Sequence, residues 1–250
     1  MKNIFTFLFF FGLITQLAFS QDGDHTGGGG RFSKNIEYNL LILESVYNFN
    51  SKGDVEKLFF GDFNAPVEFF YEPSFEGASG FRIVRDTLKE SYILEIKYIS
   101  NYKEAESEVS KKYSMRSISG EERESMSEDT FSSIIEYNRK MIRMYFEEMN
   151  KLYNIENRVF LVSDQFAKKM YEKMFSVIDN FKARGVPPMI SDGVHVTFRN
   201  VVDDEVWSLR IHEPTGRAQK FADFCLKIIK ETFSVGKPDE TNYIKLLDDF

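Results

Sequence analysis

Two groups of short runs that alternate apolar and polar residues, at 67–100 and 194–212, point to strands. Three long stripes at helical spacing, at 128–153, 163–183 and 215–235, point to helices. Together they predict an α+β fold, with helices packed on one face of a mainly antiparallel sheet. The separated strand groups leave open whether there is one sheet or two. A chain of 250 residues with 26 Phe can bury a large core, so a single domain over residues 31–235 is expected.

The N-terminal elements come first. Lys2, the apolar run at 4–19 and Ala18-Phe19-Ser20 form the pattern of a secretory signal peptide cleaved after Ser20. Residues 21–30 hold Asp22, Asp24, His25 and four consecutive glycines, and read as a flexible leader. Ile36, Leu40, Leu43 and Tyr47 are spaced by four, three and four, which suggests an amphipathic helix over 34–49. Leu41 and Ile42 blur that stripe and keep a buried strand open. Residues 54–60 form a short helix ended by Gly61.

The runs at 67–71, 80–85 and 91–100 are aromatic and β-branched, and are separated by Pro73, Gly77 and the polar 86–90. They read as an antiparallel meander. Tyr92, Leu94, Ile96 and Tyr98 share one parity, while Glu95 and Lys97 take the other.

A polar helix at 102–113 and a Ser/Glu-rich loop at 114–129 lead into a long helix over 128–153. Residues 158–162 are a strand candidate. Ser163 supplies an N-cap for the next helix, with Phe166, Met170, Met174, Ile178 and Phe181 as its stripe.

In the final unit, Val194, Val196 and Phe198 alternate with His195, Thr197 and Arg199. Trp207, Leu209 and Ile211 alternate with Ser208, Arg210 and His212. Pairing Phe198 with Trp207 and Val194 with Ile211 gathers the apolar sets on one face, with 200–205 as the connection. Thr215 starts a last helix. Residues 236–250 are acidic and are expected to be a loosely held tail.

That hairpin register yields the main candidate site. Its polar face gathers His195, Thr197, Arg199, Ser208, Arg210 and His212, with His195 opposite Arg210. Imidazoles and guanidiniums on one strand pair can hold an anion or move protons. The competing reading is an ordinary wetted sheet face, with Asp203, Asp204 and Glu205 neutralising the arginines. Thr215, Gly216 and Arg217 form a second candidate, for an anion at the helix start, against the alternative of a plain cap.

Cys225, the single cysteine, falls on an apolar stripe and reads as core. The Met residues at 149, 170 and 174 read likewise. No Gly-x-Ser-x-Gly, His-Glu-x-x-His, Cys-x-x-Cys or phosphate-loop pattern occurs. With three His and one Cys, no catalytic residue, metal site or cofactor is assigned. The net charge of −7, with no dense Lys/Arg stripe, argues against nucleic-acid partners. Once the N-terminal segment is cleaved, no stable membrane insertion is expected.

The stretches 69–77, 80–86, 91–102, 163–167 and 201–212 resemble a group of small secreted proteins of unknown function from Bacteroidetes-type bacteria. That resemblance spans about residues 55–233. It implies a bacterial envelope or extracellular setting and carries no site residue. The resulting expectation is an exported protein, periplasmic or extracellular, acting as a non-enzymatic binding or interaction module for a protein or small-molecule partner. The alternative is a hydrolase-like enzyme that uses the His/Arg-lined hairpin face.

Overall fold

A computed structural model describes residues 34–36, 39–45, 52–61, 65–86, 91–181, 192–203 and 205–250. The expected signal segment and leader lie outside the described residues. The α+β class holds, with eight strands and seven helices among the described residues. None of these helices is long and apolar enough to cross a membrane.

The described chain divides into two compact units. The larger holds one antiparallel sheet of order β1-β2-β8-β7-β3-β4-β5-β6. Its strands are β1 (Lys34–Ile36), β2 (Asn39–Ser45), β3 (Val67–Pro73), β4 (Ser79–Asp86), β5 (Ser91–Ile99), β6 (Ile155–Val162), β7 (Val194–Val202) and β8 (Glu205–His212). The meander β3-β4-β5 is as the alternation predicts. The helix expected over 34–49 is instead a pair of strands, with β2 pairing along β8 at all seven positions. Four successive apolar residues, Leu40–Leu43, leave no polar helix face and suit a strand equally well.

Alternation along the strands decides what each face carries. Val67, Phe69, Phe81, Ile83, Leu94, Ile96, Val196, Phe198 and Leu209 face one side and are fully buried. Phe69 meets Phe81 and Phe198 at 5.6 Å between ring centroids, and Phe198 meets Phe221 at the same spacing. Onto this face pack α5 (Asp164–Asp179), α6 (Gly216–Val235) and α7 (Glu240–Asp248). The Ser163 hydroxyl accepts from Phe166 N–H as the expected cap. Cys225, Met170 and Met174 are buried here, and burial pushes the Cys225 thiol pKa up.

Residues 236–250 are not a loose tail. Gly236, at φ 84°, closes α6 through a bond from its N–H to Thr232 O, and Asp239 caps α7. Tyr243 and Leu247 are buried in the main core. Tyr243 donates to Glu231, and both the N–H and the hydroxyl of Ser163 donate to Glu240.

The smaller unit is the excursion Asn101–Asn154, which leaves the sheet after β5 and returns at β6. It contains α2 (Tyr102–Lys112), α3 (Gly120–Ser125) and α4 (Glu128–Leu152). Ala105, Val109 and Met149 make its core, flanked by Tyr102, Tyr145, Leu152 and Tyr153. Where a loop was expected, α3 starts at a capping box: Ser119 Oγ accepts from Glu122 N–H, and the Glu122 carboxylate accepts from Ser119 N–H.

Candidate functional site

The second face of the sheet carries the predicted polar residues, in a register different from the one expected. His195 pairs with His212, Thr197 with Arg210 and Arg199 with Ser208. The shift is two residues, so every side chain stays on its predicted face. It arises because Val202 pairs with Glu205, shortening the connection to residues 203 and 204, with Asp203 left-handed at φ 51°. His195 therefore lies opposite His212, not Arg210.

Strand β3 brings carboxylates to the same face. Glu68 pairs with Arg199, and Glu72 pairs with His195. The short helix α1 (Asp54–Phe60) lies over this face, with Phe60 against Phe70 at 5.6 Å. From α1, Glu56 reaches the fully buried Arg199. The guanidinium donates to Glu56 Oε2 at 2.7 Å and to Glu68 Oε2 at 2.8 Å. Lys52 donates to Glu68 Oε1 at 3.3 Å, and Ala65 N–H donates to the same oxygen at 2.8 Å.

Two cations thus meet two carboxylates with all four side chains buried. Burial opposes the charge on Arg199, but Glu56 and Glu68 outweigh it and raise its pKa. Burial lowers the pKa of Lys52, against the pull of Glu68.

Cations also gather at the end of α1. Lys97 donates to Phe59 O, Arg82 to Phe60 O at 3.3 Å, and Lys52 to Gly61 O at 3.4 Å. Carbonyls left open at a helix C-terminus favour positive charge. The polar groups therefore fasten α1 to the sheet at both ends: Arg82 and Lys97 hold its last turn, and Glu56, in its first turn, accepts from Arg199.

Towards the open end of the hairpin, the His195 and His212 rings stack at 4.6 Å and 25°. Burial, then Arg210 and His212, push the His195 pKa down to about 3, so the ring is neutral at physiological pH. Burial raises the pKa of Glu72, and Arg210 approaches it at 3.6 Å, beyond a hydrogen bond. Thr197 Oγ1 and Arg199 Nε are buried without a hydrogen-bond partner. Neither imidazole bonds a carboxylate among the described residues. Gly193 closes the end at φ 137°, where a Cβ would meet Glu213 Oε1 at 2.1 Å.

Most of the charged groups on this face are engaged with one another. Arg199 is occupied by two carboxylates, the histidines face each other, and Ser208 is buried beside Arg199. Thr215, Gly216 and Arg217 are exposed at the start of α6, and Thr215 makes no side-chain cap. A surface depression of about 220 Å3 lies between α5 and α7, lined by residues such as Lys169, Lys173 and Asp248, and contains no candidate residue. No group of three or more metal-ligating side chains occurs among the described residues.

Sequence reasoning missed both the partners of Arg199 and the sheet edge at β6. This strand pairs with β5 at all eight positions, from Ile99–Ile155 to Tyr92–Val162, and with no other described strand. Val159 is 55% exposed and Leu161 63%, and both lie on the face opposite α5, α6 and α7. The apolar run at 158–162 was the available signal; its place at an edge was not legible. No family model matches the chain, and no curated protein or solved structure matches it either.

Proposed function

We propose that this chain is an exported, non-enzymatic interaction module that holds a protein partner along the free edge of β6. The observation that carries the reading is an eight-residue edge strand whose outer side pairs with no strand among the described residues, and which carries two exposed aliphatic side chains. Such an edge favours pairing with another strand, and main-chain hydrogen bonds supply the affinity. Export rests on the pattern at residues 1–20, and a bacterial envelope setting on the resemblance given above.

The hydrolase-like reading draws less support. His195 is held neutral, and Arg199 is bonded to two carboxylates, so neither supplies a general base or an open anion site there.

A photo-crosslinking residue at Val159, with one at the exposed Val235 as control, tests the proposal in the producing cell. Adducts of discrete mass from position 159 and none from 235 are expected. If position 159 captures nothing, the module reading is overturned.

A further inference from the structure

Resting on that reading, we propose that the partner along β6 is a second copy of this chain, paired antiparallel about a two-fold axis at Asn157. The first ground is the character of the edge. The ladder to β5 keeps one register throughout, so β6 has no bulge, and the sequence from Ile155 to Val162 contains no Lys, Pro or Gly. Bulges, Lys and Pro are devices by which sheets protect an edge, and β6 lacks these; the charges it does carry, Glu156 and Arg158, are of opposite sign. The opposite edge, β1, is only three residues long.

The second ground is self-complementarity. Glu156 and Arg158 share the helix-side face of β6, while Asn157 and Val159 take the other. With Asn157 on the axis, Glu156 of each copy lies opposite Arg158 of the other, and Ile155 lies opposite Val159. Opposite charges directly across a strand pair stabilise it, and like charges destabilise it. An axis at Arg158 would set two guanidiniums face to face. An axis at Val159 would put Glu156 against Val162, which is already buried in the core. Charge therefore selects one register out of the neighbouring ones.

The third ground is closure. A two-fold contact uses the same patch on both copies and cannot propagate. It joins the two sheets over residues 155–159, and the far edge of each sheet among the described residues is β1. The ladder covers Ile155–Val159 of each copy and opens no route to fibres.

Sedimentation equilibrium on the purified protein tests this. The wild type is expected to be a dimer. Arg158→Glu and Glu156→Arg each place like charges across the axis, and should weaken the dimer tenfold or more. The doubly swapped E156R/R158E chain restores opposite charges and should restore the dimer. Within the chain Tyr98 donates to Glu156 and Arg158 lies over the Phe233 ring at 5.4 Å, so far-UV circular dichroism and urea melts confirm that each variant is folded. A wild type that stays monomeric up to about 100 μM overturns self-pairing. So does a dimer indifferent to the single swaps, or single swaps that the double fails to rescue. Should Val159 still crosslink to a different protein, only the self-pairing fails; should it capture nothing, the module reading falls too.

Discussion

Removing the Arg199 guanidinium would leave Glu56 and Glu68 buried with Lys52 as their only close cation among the described residues. Breaking a buried ion pair from one side is far more damaging than removing both partners. Arg199→Met is therefore expected to lower stability by about 3–5 kcal/mol in urea melts. Arg199→Met combined with Glu56→Leu leaves the balanced Lys52–Glu68 pair, and should be more stable than the single variant. His195 gives a second test. Its ordinary pKa is 6.5 and its folded value about 3, so below about pH 6.5 the unfolded chain takes up a proton that the native ring refuses. Stability is intact above that pH and falls towards pH 3 by about 1.4 kcal/mol per pH unit from this group. Glu72, with its pKa raised by burial, protonates early in the native state and works in the opposite sense. His195→Gln removes only the first contribution, and urea unfolding between pH 6.5 and 4 should show a flatter dependence. An unchanged slope would contradict the burial assigned to that ring. Alternation alone put Arg199 on its correct face. Its partners, 143 and 131 residues away, leave no local spacing to read.

Among the elements, α7 departs most from expectation. Its acidic composition suggested a solvated tail, yet Tyr243, Leu247 and Phe250 recur at helical spacing and pack with the main core. Leu247→Ala should cost about 2–4 kcal/mol, as truncation of a buried leucine does, and the urea midpoint measures it. A loss below a few tenths would mean that α7 is not docked in solution. The long helices α4, α5 and α6 were legible because each carries an apolar stripe over many turns. The segment 34–45 was not, since a continuous apolar run fits either period. The hairpin was legible in its faces but not in its register. Alternation determines parity, whereas the turn determines which pair comes last, and an Asp-Asp turn lacks the glycine that marks a two-residue connection.

For the whole molecule, the fold class was legible and its division into two compact units was not. Polar character suggested α2 and helical spacing identified α4, but only three-dimensional packing reveals that Ala105, Val109 and Met149 form a core of their own. The neck of that unit is tied by one side chain. Asn101 Nδ2 donates to Leu152 O at 2.8 Å, and its Oδ1 accepts from Asn154 N–H at 2.6 Å. The consequence is kinetic. β5 and β6 are neighbours in space but lie some 55 residues apart along the chain, and closing so long a loop costs about 2 kcal/mol more than a four-residue turn. Helices form in microseconds, ahead of remote strand pairing. Once folded and fastened at its neck, the excursion presents β6 to β5 as if across a short turn. A contact remote in sequence thereby becomes one between neighbours in space.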